Sequence, residues 1–203
     1  MKMVFWGRGG FTTAEVLMAA LFGMIVMGAL YGFYQEQLYS LLTQEAKTAT
    51  LEDGRGALDI MVRDLRNAGS WGTGVVPSGC SRVVSATPTA LRIQADLDGS
   101  GDCNSATGED VTYDLSGATS TCPGSIIRRN GTCLVANVVT PVAGRLFSYY
   151  DRDGVELGDN PPPAGIERVK ITFGIKVANP DPKARGANPD VTSILSSSVG
   201  FRN

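Results

Sequence analysis

The sequence predicts an α+β protein in which one long N-terminal α-helix packs on an antiparallel β-sheet head. Three observations predict it. All ten prolines and all four cysteines lie at or beyond Pro77, so the Leu-, Met- and Ala-rich stretch before it lacks the residue that a helix interior tolerates least. Residues 16–35 carry no charge and are followed by apolar residues spaced three and four apart, as on one face of a helix. Beyond Gly69, short Val/Ile/Thr runs alternate with Gly, Pro, Asn and Asp, the pattern of strands joined by turns.

Composition narrows the function. A chain of 203 residues holds one modest globular core plus an extra element. Lys+Arg 18 against Asp+Glu 20 gives a formal charge of −2, so no overall basic field draws it to nucleic acid. Arg128-Arg129 and the Lys183/Arg185 pair are too few for a nucleic-acid groove. Histidine is absent, which removes Ser-His-Asp and Cys-His catalysis, histidine-ligated zinc and a histidine pH switch. Adjacent carboxylates such as Glu109-Asp110 point to opposite faces of a strand rather than forming a catalytic pair. No enzyme activity is expected.

In chain order, the first element is a membrane helix. Twenty uncharged residues, at 1.5 Å rise each, cover the roughly 30 Å of a bilayer core. Lys2 and Arg8 precede this segment, so the positive-inside tendency keeps the N-terminus cytoplasmic and sends the remainder across. Glu15 abuts the apolar run with no cation in the following turn, and an uncompensated carboxylate in lipid costs several kcal/mol. It needs a partner. A cut between Gly10 and Phe11 would place a new α-amine four residues before Glu15, and the amine of a neighbouring copy could neutralise that carboxylate.

At Arg8-Gly9-Gly10-Phe11-Thr12-Thr13-Ala14-Glu15-Val16-Leu17 the chain resembles the type IV prepilin class, which includes type IV pilins and the pseudopilins of type II secretion. The shared features are a short basic leader ending in Gly10, an aromatic Phe11 at the cut, Glu15 as fifth residue of the mature chain, and a hydrophobic helix. The resemblance implies cleavage after Gly10 by a prepilin peptidase, N-methylation of Phe11, and Glu15 pairing with the Phe11 amine of an adjacent subunit. It also implies a pilin-like fold and contact with other pilin subunits and an inner-membrane assembly platform. The precursor would lie in the bacterial inner membrane with its head outside the cytoplasm, and the mature chain in a pilus, at the cell surface or in the periplasm. Four segments follow: a cleaved leader (1–10), a transmembrane or filament-core helix (11–35), an amphipathic helix packing on the head (36–69) and a β-rich head (70–203).

The stalk continues with Leu38, Leu41, Leu42, Ala46 and Ala49, then Leu58, Met61, Val62 and Leu65, as one stripe. Its charged residues, among them Arg63, Asp64 and Arg66, read as a solvated face. Gly54 and Gly56 read as bending points, as do Gly28 and Gly32 in the membrane part, because each weakens the helix by roughly 1 kcal/mol relative to alanine. Asn67-Ala68-Gly69 is the expected stop. The run from Gly54 to Gly69, with its Arg63-Asp64-Leu65-Arg66-Asn67-Ala68-Gly69 close, resembles the stalk end of PilW-type minor pilins, with the J-type minor pseudopilin of type II secretion next. The expected function is therefore a minor type IV pilin that initiates or joins a pilus. The alternatives are a minor pseudopilin and a bitopic membrane protein with an uncleaved signal anchor.

In the head, strands are expected at 81–85, 90–95, 111–115, 125–129, 132–139, 146–150, 169–177 and 191–199. Asn130-Gly131 and Asp153-Gly154 mark turns. The stalk stripe at Leu58, Met61 and Leu65 covers the apolar face of the sheet. Cys80, Cys103, Cys122 and Cys133 form an even set on the extracytoplasmic side, where two disulfides are expected. Neighbour pairing, Cys80–Cys103 with Cys122–Cys133, is favoured among the three connectivities. The hairpin register nevertheless puts Cys133 opposite Arg128, so that pairing requires a folded-back loop.

The run from Asp96 to Asn104 places oxygen-bearing side chains at alternate positions around glycines, as hard-cation loops do. An acidic surface turn is the plainer reading. Calcium is the alternative, with Asp96, Asp98, Asp102 and Asn104 as ligands, although Thr107 stands at position twelve of an EF-hand template and Glu109 falls two residues late. No other cofactor is expected. Pro161-Pro162-Pro163 and the segment 179–189 read as loops, the second as an exposed link between the last two strands.

Overall fold

The computed structural model describes residues 10–201 apart from 73, 105–107 and 142–143, so the leader residues Lys2 and Arg8 and the loop residue Thr107 lie outside the described residues. One helix, α1, runs from Thr13 to Asn67 over 55 residues, about 80 Å at 1.5 Å per residue. It passes through Gly28, Gly32, Gly54 and Gly56 without interruption. It ends where the sequence places the stop. Gly69 takes φ +78°, a left-handed turn that suits glycine, and its N–H donates to the Gln94 carbonyl at 2.9 Å, fastening the helix exit to the head.

Among the described residues nine strands follow: β1 (Val83–Ala86), β2 (Ala90–Gln94), β3 (Asp110–Ser116), β4 (Ile126–Arg129), β5 (Thr132–Val135), β6 (Val138–Val139), β7 (Phe147–Tyr150), β8 (Arg168–Ala178) and β9 (Asp190–Gly200). These strands pair antiparallel throughout and form two sheets, and an isolated parallel bridge joins Trp71 to Asp96. The first is the meander β1-β2-β3-β4-β5; in the second, β8 pairs with β6 and β7 on one side and β9 on the other. The sequence expectation of a single run over 132–139 is corrected here. Asn137, at φ +54°, breaks it, so that β5 closes the first sheet and β6 opens the second.

The Asn130-Gly131 turn forms as expected, with both residues at positive φ and Arg129 opposite Thr132, the geometry of a tight two-residue hairpin. At the second turn, Gly154 has φ +84° and the Asp151 N–H bonds the Val155 carbonyl.

A single core joins both sheets to the helix. The helix lies chiefly over β9 and β8, presenting Thr50, Gly54, Ala57, Met61, Asp64 and Leu65 inward. Met61 and Leu65 are fully buried and Leu58 and Val62 are partly so, whereas Leu38, Leu41 and Leu42 remain exposed. The cover is therefore the upper half of the expected stripe. Gly54 is a point of close approach rather than a bend: a Cβ there would lie 2.6 Å from a Leu195 methyl and 3.0 Å from an Ile175 methyl. Four residues earlier, Thr50 Oγ1 is 3.1 Å from Ser193 Oγ.

Candidate functional site

The N-terminal part of α1 is the region whose chemistry the head does not absorb. Its most apolar 18-residue window has mean hydropathy 2.1, and none of it is buried. Phe11 is 88% exposed. Large apolar side chains from Val16 to Tyr34 surround the helix on all sides, which is how a segment surrounded by lipid or by like helices reads. Tyr31, Phe33 and Tyr34 stand at its C-terminal border, the position aromatic rings favour in helices that cross a membrane.

Thr12 is the N-cap and Glu15 the third helical residue. The Thr12 N–H and hydroxyl both donate to Glu15 Oε2 at 2.9 Å, and the Glu15 N–H donates to Thr12 Oγ1 at 3.3 Å. This is a capping box, which satisfies N-terminal amides reciprocally and holds a carboxylate at the positive end of the helix dipole. The Thr-x-x-Glu spacing gives Glu15 a local hydrogen-bonding partner that charge patterning alone does not reveal. No basic side chain among the described residues pairs with Glu15. Gly10 and Phe11 are both exposed immediately before the cap.

Three further constellations lie outside this segment. Asp64, read from sequence as solvated, is instead buried at 9% exposure. It accepts from Tyr113 Oη at 2.6 Å and from Arg129 Nε at 2.7 Å. Burial, then the Asp64 contact, pushes the Tyr113 hydroxyl far above its ordinary range, so it remains a donor. Arg63 and Arg66 are exposed, as expected.

In the acidic loop the structure brings together Asp96, Asp98 and Glu109, with one oxygen of each within 4.8 Å of the others. Asp102 falls outside this trio and accepts the Asn104 N–H at 3.1 Å. Glu109 joins because β2 and β3 pair with Gln94 opposite Asp110. Asp96 receives the N–H groups of Gly99 and Gly101, and Glu109 those of Leu97 and Asp98. The set is therefore an amide-organised acidic turn whose three carboxylates are close enough to hold a hard cation.

The cysteines pair as Cys80–Cys103 and Cys122–Cys133. The first ties the segment before β1 to the acidic loop. The second needs the folded-back loop that the hairpin register demands: Cys133 lies opposite Arg128, and the β3–β4 connection returns to meet it through a turn closed by Thr119 and Cys122.

The segment 179–189, read as an exposed link, lies back along the stalk. Lys183 Nζ is 2.6 Å from Glu36 Oε1, 147 residues away in the chain. No family model matches this chain, and no curated protein or solved structure matches it.

Proposed function

We propose that this chain is a minor type IV pilin. It enters the inner membrane as a precursor, is cut between Gly10 and Phe11 by a prepilin peptidase, is methylated on Phe11, and joins or primes a pilus through α1. The observation that carries the reading is Glu15, capped at the very start of a helix whose next 20 residues are uncharged and, apart from half-buried Gln35, exposed. A pilin-like head packed on the second half of the same helix fits this role.

Assembly follows from the chemistry of that segment. In lipid, an apolar helix gains nothing from hydrophobic burial against another, so association rests on packing and polar pairing. Small residues at Gly28, Ala29 and Gly32 permit close contact. The capping box uses Oε2 of Glu15, and the α-amine of an adjacent Phe11 is the charged donor that completes the carboxylate. Other pilins and the assembly platform are the partners, and the head lies outside the cytoplasm.

Glu15→Ala is the test. Cleavage after Gly10 is expected to persist while incorporation into filaments falls; normal assembly of the variant would refute the pairing. Co-purification with pilus-tip proteins is expected, and recovery with a type II secretion filament would move the chain to the pseudopilins.

A further inference from the structure

We propose that the β8–β9 loop, residues 179–189, is a membrane foot that binds the phosphates of anionic lipid headgroups through Lys183 and Arg185. The inference rests on the reading that residues 16–35 span the bilayer.

The loop's height is set by the residue it touches. Glu36 is the first charged residue after the uncharged run. The headgroup layer on each side of the roughly 30 Å hydrocarbon core is about 5–7 Å thick, or about four residues of helix, so Glu36 and Tyr39 fall within it. Lys183 bonds to Glu36, and the loop then flanks the helix along Tyr39, Ser40, Thr43 and Lys47. The loop tip therefore lies at the level of the lipid phosphates.

The loop is also built rather than slack. Buried Asn179 closes its neck: its N–H donates to the Pro189 carbonyl at 2.8 Å, its side-chain amide donates to the Asn188 carbonyl at 3.0 Å, and its Oδ1 accepts the Asp181 N–H at 3.0 Å. Arg185 Nε donates to the Asn179 carbonyl at 2.6 Å, which fixes the guanidinium against the neck. No carboxylate pairs with Arg185 among the described residues. The Lys183 side chain keeps 71% exposure despite its ion pair, leaving donors for a second oxygen. Lys183, exposed at this depth on a preorganised loop with Arg185 behind it at the neck and Asp181 closing the turn, presents the cation that the negative surface of a leaflet rich in anionic lipid attracts.

The experiment uses the full chain in nanodiscs of phosphatidylcholine, with and without phosphatidylglycerol. A fluorophore is placed on Gly186→Cys, where a Cβ meets nothing within 4 Å; the native cysteines are all disulfide-bonded. A second label on Leu30→Cys reports the helix. Nitroxides on the headgroup or deep in the acyl chain serve as quenchers. The foot predicts headgroup quenching at 186 that increases with phosphatidylglycerol, and loss of that increase in Lys183→Gln/Arg185→Gln. Acyl-chain quenching at 30 without headgroup quenching at 186 would overturn the foot alone. Quenching at 186 that ignores lipid charge would overturn the phosphate assignment. No quenching at 30 would overturn the spanning reading and the foot with it.

Discussion

Tyr113 on β3 donates a 2.6 Å hydrogen bond to Asp64 on the stalk helix, with Arg129 of β4 closing on the same oxygen at 2.7 Å. The first sheet thus grips the helix by a charged joint, while the second grips it by close packing at Gly54. Removing Asp64 leaves Arg129 without its counter-charge.

Asp64→Ala is expected to destabilise the full chain in detergent by about 2–3 kcal/mol, less than breaking a fully buried pair because the Arg129 side chain retains 26% exposure. Tyr113→Phe should lose about 1.5 kcal/mol, the value of one hydrogen bond to a charged acceptor. Chemical denaturation of each variant checks both. Wild-type stability in Asp64→Ala would show that the joint contributes nothing.

A pH dependence follows from the first sheet. The hydrogen bond from Arg92 lowers the Asp110 carboxyl below its ordinary value near 3.8, against the opposing effect of burial. A depressed carboxyl stabilises the fold fully above the unfolded value, and that stability is lost as pH falls through the folded one. Arg92→Gln should therefore flatten the acid limb of the stability curve while leaving its neutral shape alone. An unchanged acid limb, read from melts across pH 2 to 6 or about that window, would contradict the assignment.

Gly54 and Gly56 give opposite predictions two residues apart. A Cβ at Gly56 meets nothing within 4 Å, so Gly56→Ala should stabilise the helix by about 1 kcal/mol. Gly54→Val forces branched bulk against Leu195 and Ile175 and should destabilise by about 1–3 kcal/mol. Melting temperatures of the two variants moving in the same direction would refute the packing account.

Asp96, Asp98 and Glu109 lie close enough to share a cation, and the melting temperature of the full chain in millimolar calcium against chelator separates the two readings of this loop: a rise would mark a cation site. Equal temperatures would leave it the acidic turn that is the plainer reading of the sequence.

Features encoded locally were legible in the sequence. The apolar run, the Gly69 stop and the Asn130-Gly131 turn each depend on a few adjacent residues whose backbone preferences dominate. Features created by distant pairing were not. Asp64 sits among exposed arginines at helical spacing, and its burial is decided by Tyr113 and Arg129 arriving from other strands. Glu109 fails a linear ligand template but meets Asp96 across the β2–β3 ladder. The split after β5 depends on Asn137 entering positive φ, where asparagine is tolerated but seldom signalled. Nothing local links Lys183 to Glu36.

The most direct test of the central claim is intact-mass and N-terminal analysis of the chain recovered from assembled filaments. The account predicts a chain beginning at Phe11 and carrying one added methyl group on its amine. A chain that still begins with Met1 would contradict it.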